Sequence, residues 1–148
     1  MGLSEKEREF VAAHRAAAMT TLRRDGSPHT VRVGVALVDG MLMSSGTRSR
    51  ARTAHLRRDP RSTLFVWDER FRYLTIDAEV TIVDGPEATE LHLPLMRTMQ
   101  GRPADSPTIS WFGGERTPEE FLAVMRAEGR LIYRFEVLRT QGLADAPG

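Results

Sequence analysis

At 148 residues the chain is long enough to bury a core of its own, and it has no cysteine and a formal net charge of +1. The missing thiols exclude disulfides, thiolate zinc sites and cysteine nucleophiles, and the near-neutral charge argues against a polyelectrolyte-type nucleic-acid binder. No segment approaches the roughly 20 apolar residues of a membrane helix, and no apolar run of signal-peptide length opens the chain. The expectation is a cytoplasmic protein folded as a single domain over residues 1–148.

Ser4-Glu-Lys-Glu7 is a capping box, so a helix is expected through about Arg15 with Phe10, Ala13, His14 and Ala17 on its buried stripe. Ala18–Leu22 reads as a strand, and Arg24-Asp-Gly-Ser-Pro28 as a turn. His29–Val38 follows as one strand, with Val31, Val33, Val35 and Leu37 on one face and Thr30, Arg32, Gly34 and Ala36 on the other. The second face is small and polar and leaves room for something flat. Asp39-Gly40 turns the chain into a strand over Met41–Gly46.

Gly46–Pro60 reads as the start and body of a helix that Pro60 closes, and Arg48, Arg50 and Arg52 crowd its start. Cations are disfavoured there by roughly 0.3–1 kcal/mol each, because the free N–H groups and the macrodipole are already positive. Such an arrangement suits either a bound anion or a solvated basic loop. Arg57, Arg58 and Arg61 fall where they serve the helix C-terminus and the surface. The basic residues are twenty arginines and one lysine, Lys6, and arginine's planar fork fits phosphate oxygens in pairs.

Ser62–Trp67 is a further strand, followed by the charged turn Asp68–Arg70 and a long strand over Arg72–Asp84. A change of side-chain parity within that strand places a bulge near Asp77-Ala78. Gly85-Pro86 opens a helix through Leu91, Leu93, Leu95 and Met96 that Pro94 is expected to kink or divide. Gly101–Gly114 reads as a loop in which Trp111 and Phe112 either dock on the core or line a cleft, docking being favoured for large apolar side chains. Thr117-Pro-Glu-Glu120 starts a helix that Gly129 ends, and Leu131–Val137 alternates as the last strand. Hairpins without βαβ alternation give an α+β chain, with six antiparallel strands in a small barrel and helices around it.

No Gly-x-x-x-x-Gly-Lys-Ser/Thr, Gly-x-Gly-x-x-Gly or Gly-x-Ser-x-Gly motif is present, and the four histidines His14, His29, His55 and His92 stand singly. No metal site is expected. The basic stretch Arg48–Arg61 has no interleaved aromatic platforms, so nucleic acid is not the expected partner. What remains is an anion site at the arginine helix beside Ser44, Ser45 and Gly46. With no nucleophile or acid–base pair in sight, it is best matched to a cofactor that brings its own reactivity.

Two stretches taken together, Ala18-Met-Thr-Thr-Leu-Arg-Arg-Asp-Gly-Ser-Pro-His29 and Ser49-Arg-Ala-Arg-Thr-Ala-His-Leu-Arg-Arg-Asp-Pro60, carry a resemblance. They resemble the split β-barrel flavin and deazaflavin oxidoreductases related to pyridoxamine 5′-phosphate oxidase. The likeness covers Phe10–Asp84, with Leu131–Gly142 more weakly, and it looks closest to the actinobacterial subgroup that uses coenzyme F420. It implies a six-stranded split barrel that works as a homodimer, with cofactor sites between subunits.

Matched position by position, the resemblance gives Arg50, Arg52 and Thr53 the cofactor phosphate, with Arg52 where lysine is common. It gives Ser45 and Gly46 the strand end before them, and it runs His29, Val31 and Arg32 beneath the tricyclic ring. Tyr73, with Phe71 and Trp67 near it, corresponds to a segment that approaches from the partner subunit. The implied activity is hydride transfer between F420 and a conjugated, tetrapyrrole- or quinone-like acceptor, without a dedicated acid–base residue. An FMN enzyme of the same fold and a non-catalytic cofactor carrier are the alternatives. Two departures stand out: Gly101–Gly114 is longer than in small members, and the substrate-phosphate residues of a true pyridoxamine phosphate oxidase are not found.

Overall fold

The computed structural model of the protein describes residues 2–142. In chain order its elements are α1 (Glu5–Ala13), β1 (Ala16–Leu22), β2 (Pro28–Gly34), β3 (Ala36–Val38), β4 (Met41–Thr47), α2 (Ala51–Arg58) and β5 (Arg61–Trp67). Then follow β6 (Tyr73–Val83), α3 (Pro86–Met99), β7 (Ile109–Trp111), β8 (Gly114–Arg116), α4 (Pro118–Ala127) and β9 (Arg130–Gly142). Seven strands form one antiparallel sheet in the order β2-β1-β5-β6-β9-β4-β3, and β7-β8 is a separate hairpin. The α+β curled sheet with helices around it is as expected; the strand count is not.

The extra strand arises at Val35. The run His29–Val38 is one apolar alternation in sequence, but its first part pairs with β1 and its second with β4. The two ends of the strand order are therefore successive segments of one extended run, and the sheet curls until they meet. At the meeting point Ser44 Oγ donates to the Gly34 carbonyl at 2.6 Å, and Val35 N–H donates to the Arg15 carbonyl at 2.8 Å. The interior is filled from every strand, with Met19, Val35, Leu64, Val66, Leu74, Ile76, Leu131 and Tyr133 at or near zero exposure.

Helix α3 covers the outside of the β3–β4–β9 end, where Ala36, Val38, Met43 and Ile132 meet Ala88 and Leu95. That outer layer explains why Leu131, Ile132 and Tyr133 are buried in succession although a two-layer strand buries alternate residues. Pro94 does not divide α3, which runs unbroken from Pro86 to Met99. The amide it lacks would have met the Glu90 carbonyl on the exposed face, while His92, Leu95 and Met96 bury the other. Arg15 ties this helix to the barrel by donating to the Thr98 and Met99 carbonyls at 2.8 Å each.

Both capping boxes form: Ser4 with Glu7, and Thr117 with Glu120. Helix α1 stops at Ala13, short of Arg15, and buries Phe10 and Val11 while Ala13 is exposed. The bulge near Asp77-Ala78 is present, but the added residue lies on the other strand. Asp77 pairs with Arg139 and Ala78 with Val137, which leaves Leu138 without a partner in the ladder. Strand β6 itself alternates without interruption from Tyr73 to Thr81, through the Asp77-Ala78 position, once the buried Leu74 is counted.

The Gly101–Gly114 segment is less irregular than expected, because its last part enters β7 and turns into β8. Trp111 docks edge-on to Phe121 at 5.7 Å, whereas Phe112 takes the turn at φ 46° and stays 82% exposed. Docking is the expectation for both, but the turn can aim only one ring inward. Arg102 clamps the hairpin by donating to Glu115 at 2.6 and 2.9 Å, and Thr108 adds a bond of 2.8 Å. The Arg102 bonds and then Thr108 pull the Glu115 carboxyl from 4.5 to about 2.

A depressed carboxylate stabilises the fold above its unfolded value, and that contribution is lost as pH falls through the folded one. The local difference in hairpin order between the wild type and Glu115→Gln should be full above pH 4.5 and vanish toward pH 2. Trp111 fluorescence in a Trp67→Phe background reads it. A difference that persists unchanged at pH 2 would refute the clamp.

Candidate cofactor site

Strand β4 delivers its last residues to the start of α2, and the candidate residues split between this junction and two other places. Ser45 faces outward toward α3, and Gly46 faces inward against Tyr133, so closely that a Cβ there would run into the ring and hydroxyl. Thr53 is buried. Its Oγ1 lies 2.6 Å from the Thr47 carbonyl and also contacts the Tyr133 hydroxyl. A carbonyl only accepts, so Thr53 donates to Thr47 and Tyr133 donates to Thr53. The Thr53 hydroxyl is thus committed to fixing α2 onto the barrel, and its amide donates to the Arg50 carbonyl at 3.0 Å.

Arg50 is the N-cap residue of α2, exposed, and its side chain caps nothing. Arg52 is half-buried over the Tyr133 ring at 5.6 Å, with Nη2 3.5 Å from the Ser45 carbonyl. Its Nε is buried with no partner among the described residues. Burial holds the Arg52 guanidinium below the usual arginine range, and the neighbouring Arg50 and Arg130 charges push the same way. Arg48, the third arginine of the crowded start, is diverted to Asp84 at 2.8 Å. Arg57 also reaches Asp84, Arg58 donates to the Leu22 carbonyl and Arg61 pairs with Asp59, so these three serve the helix end and the surface.

His29 lies across the barrel end from this junction, paired with Thr21 on β1. Its ring sits edge-on to His55 at 5.0 Å, and His55 Nδ1 bonds Thr21 Oγ1 at 2.9 Å. Burial, and then the His29 ring, lower the His55 pKa. The His29 Nδ1 is buried without a partner among the described residues. Val31 shares the inward side of β2 and packs on the core.

Arg32 does not join them. It points to the outer face, in one cross-strand row with Ala18, Phe65 and Thr75. There it helps line a cleft of about 520 Å³ with His14, Trp67 and Arg72. Tyr73 is on that outer face too, stacked on Phe65 at 5.5 Å. Its strand begins beside Gly142 at the far end of β9, whereas Gly46 pairs with Leu131 at the near end. Tyr73 is therefore remote from Arg50 and Arg52 of its own chain.

Residues 3–127 match the family described as pyridoxamine 5′-phosphate oxidase, which is most of the chain. The chain belongs to the pyridoxamine 5′-phosphate oxidase family. This is a flavin-binding oxidoreductase family with the split-barrel fold. Among solved structures, a conserved hypothetical protein from Mycobacterium tuberculosis is similar over 95% of this chain and 84% of its own, at 25% identity and TM-score 0.72. A protein named F420 reductase is similar over 94% and 98%, at 16% identity and TM-score 0.66. An FMN-binding protein related to pyridoxamine 5′-phosphate oxidase, from Nostoc punctiforme, is similar over 97% and 86%, at 13% identity and TM-score 0.64. No curated protein sequence matches the chain.

Within this pyridoxamine 5′-phosphate oxidase family member, four residues at the junction escaped sequence reasoning: Tyr133, His55, His92 and Arg130. Each touches a candidate residue, and of the four only His55, inside the Ser49–Pro60 stretch, lies in a local motif. Alternation marks Tyr133 as inward-facing, but only the fold shows that it supports Thr53 and Arg52. Among the described residues no group of three or more metal-ligating side chains gathers, and no helix is long and apolar enough to cross a membrane.

Proposed function

We propose that the protein is an oxidoreductase that binds coenzyme F420 through Arg50 and Arg52 and transfers hydride between it and a conjugated, tetrapyrrole- or quinone-like acceptor. One observation carries the reading: an exposed arginine and a half-buried one with an unpartnered Nε converge on the open start of α2, at the end of β4, in a flavin-binding family fold. The α2 amides and two guanidinium groups fit a phosphate there. Ser45 and Gly46 shape the strand end beside it, Thr53 holds the helix start in place, and His29 and Val31 form the opposite wall. When bound, the deazaflavin supplies the hydride-exchanging ring, and the chain needs to contribute only binding, orientation and exclusion of water. The names of the F420 reductase and the FMN-binding protein among the similar folds keep both cofactors in view. FMN in the same place is the second reading, because the arginines would grip either phosphate.

The protein acts as a homodimer in this proposal. Phe65, Trp67 and Tyr73 form an exposed aromatic strip on the outer sheet face, with Trp67 45% exposed, and Arg32 lies in the same row. In this proposal the strip is buried at the subunit interface, and Tyr73 serves the cofactor held by the partner subunit rather than the one held by its own chain.

The reading is tested by fluorescence titration with oxidised and reduced F420 and with FMN, with the oligomeric state measured alongside by light scattering. Micromolar binding of F420 with turnover of a quinone acceptor is the expected result. Tight FMN binding with none of F420 would shift the assignment to FMN. Binding without turnover across an acceptor panel would make the protein a cofactor carrier, and no binding of either would end the reading.

A further inference from the structure

The β4–β9 ladder stops short of the β3–β4 turn. It runs from Thr47 opposite Arg130 to Leu42 opposite Phe135, and there the two strands part. Strand β9 carries on to Gly142 against β6, while Met41 pairs with Val38 on β3. The wedge between them holds a cavity of about 480 Å³, within the size range of small-molecule sites. Its apolar lining is Leu3, Leu37, Met41, Leu42, Phe135 and Val137. Leu3 contributes from the approach to α1, where Arg8 Nη1 donates to the Leu3 carbonyl at 2.8 Å. Leu42 stands four residues before Gly46, about 13 Å along β4, so the wedge is separate from the Arg50–Arg52 site.

One cation in the lining has nothing to pair with. Arg134 lies opposite Met43 and Thr81 on the outer side of β9 and is half-buried. Among the described residues it makes no hydrogen bond and no ion pair. Glu136, two residues on and facing the same way, is exposed at the mouth and forms no ion pair with it. Because β4 and β9 have parted, the inward-facing Phe135 and the outward-facing Arg134 border the same space. A half-buried guanidinium has lost part of its hydration, and a carboxylate restores two parallel hydrogen bonds at once.

We infer that the wedge is a second ligand site, for a carboxylate with an apolar body, whose acid group pairs with Arg134 and whose body lies on Leu37, Leu42 and Phe135. The lining fits both halves of such a molecule, with aliphatic and aromatic surface for the body and a free fork for the head. A small polar anion would leave the apolar surface uncovered, and a neutral hydrocarbon would leave Arg134 unpaired. The inference does not rest on the cofactor reading, since none of the cofactor-site residues lines the wedge.

The probes are octanoate, which is ionised at neutral pH, and 1-octanol, its neutral counterpart. Isothermal titration calorimetry reads affinity, and the methyl NMR signals of Leu37 and Leu42 read the place. The wild type should bind octanoate about tenfold more tightly than octanol, the worth of one charge-assisted contact. Arg134→Gln should lower octanoate to the octanol affinity and leave octanol unchanged. The fold should bear this change, because Arg134 holds no other group in place. Met41→Trp, at a side chain already 39% exposed, should fill the wedge and weaken both probes. The protein carrying Arg50→Ala and Arg52→Ala controls for octanoate caught at the other arginines, and should bind it as the wild type does.

Equal wild-type affinity for the two probes, or octanoate binding that survives Arg134→Gln, overturns the inference. So does binding that Met41→Trp leaves unchanged, binding that is lost in the Arg50/Arg52 protein, or no binding of either probe. None of these results touches the cofactor reading, which stands or falls on the separate titrations with F420 and FMN.

Discussion

Replacing Arg50 and Arg52 together by alanine should weaken cofactor binding by about a hundredfold or more while leaving the fold intact. Each guanidinium contributes a charge-assisted contact of about 1.5–3 kcal/mol, so the pair accounts for about 3–6 kcal/mol, or two to four orders of magnitude in affinity. The fold should tolerate the change because Arg50 is exposed and makes no cap, and Arg52 makes one long bond to the Ser45 carbonyl and rests on Tyr133. The matched control is Arg57→Ala with Arg58→Ala. Those side chains are occupied by Asp84 and the Leu22 carbonyl, so affinity should stay within about twofold. Equal affinity in the wild type and the Arg50/Arg52 variant would place the phosphate elsewhere.

Gly46→Ala should produce the largest loss of stability. Gly46 has ordinary strand geometry, so the obstacle is space alone: the added Cβ meets the ring and hydroxyl of Tyr133. Tyr133 is fully buried and cannot retreat without releasing Thr53, whose hydroxyl also anchors α2 to the Thr47 carbonyl. Overpacking of this kind costs about 3 kcal/mol, which corresponds to a fall in Tm of about 6–12 °C for a chain of this size. Gly46→Ala combined with Tyr133→Leu should be less destabilised than the sum of the two single changes, because the smaller side chain makes room. Differential scanning calorimetry checks both, and a Gly46→Ala protein melting within about a degree of the wild type would contradict the close packing.

These two expectations also mark how far the sequence could be read. Ser45, Gly46, Arg50 and Arg52 are near neighbours in the chain, and a strand running into a helix start keeps such residues together whatever the rest does. The barrel was legible for a similar reason, since alternation within each strand separates inside from outside. What adjacency cannot convey is contact across long chain distances. His92 meets Ser45 through a helix laid over the outside of the sheet, and Arg130 reaches it from the last strand. The residues' spacing says nothing of either.

Local patterns mislead in two places. Apolar alternation through Val35 is continuous even though the strand changes partners there, because one extended run can pair on both of its edges. The parity of β6 suggests a bulge of its own, whereas Leu138 on β9 supplies it. Resemblance gives Thr53 to the phosphate; its hydroxyl is fully engaged within the fold, so any role at the site comes through placing α2.

The change of partners at Val35 has a consequence for how such proteins diverge. Among the described residues, strand β2 has no ladder partner on the side facing β4, and β4 beyond Met43 has none on the side facing β2. The seam between them is a line of main-chain amides and carbonyls. A molecule gripped along it would be recognised by groups that point mutations other than to proline leave in place. Evolution could then exchange most side chains around the seam while keeping the grip, and chains that share the same cleft could drift apart in sequence far faster than in the chemistry they accommodate.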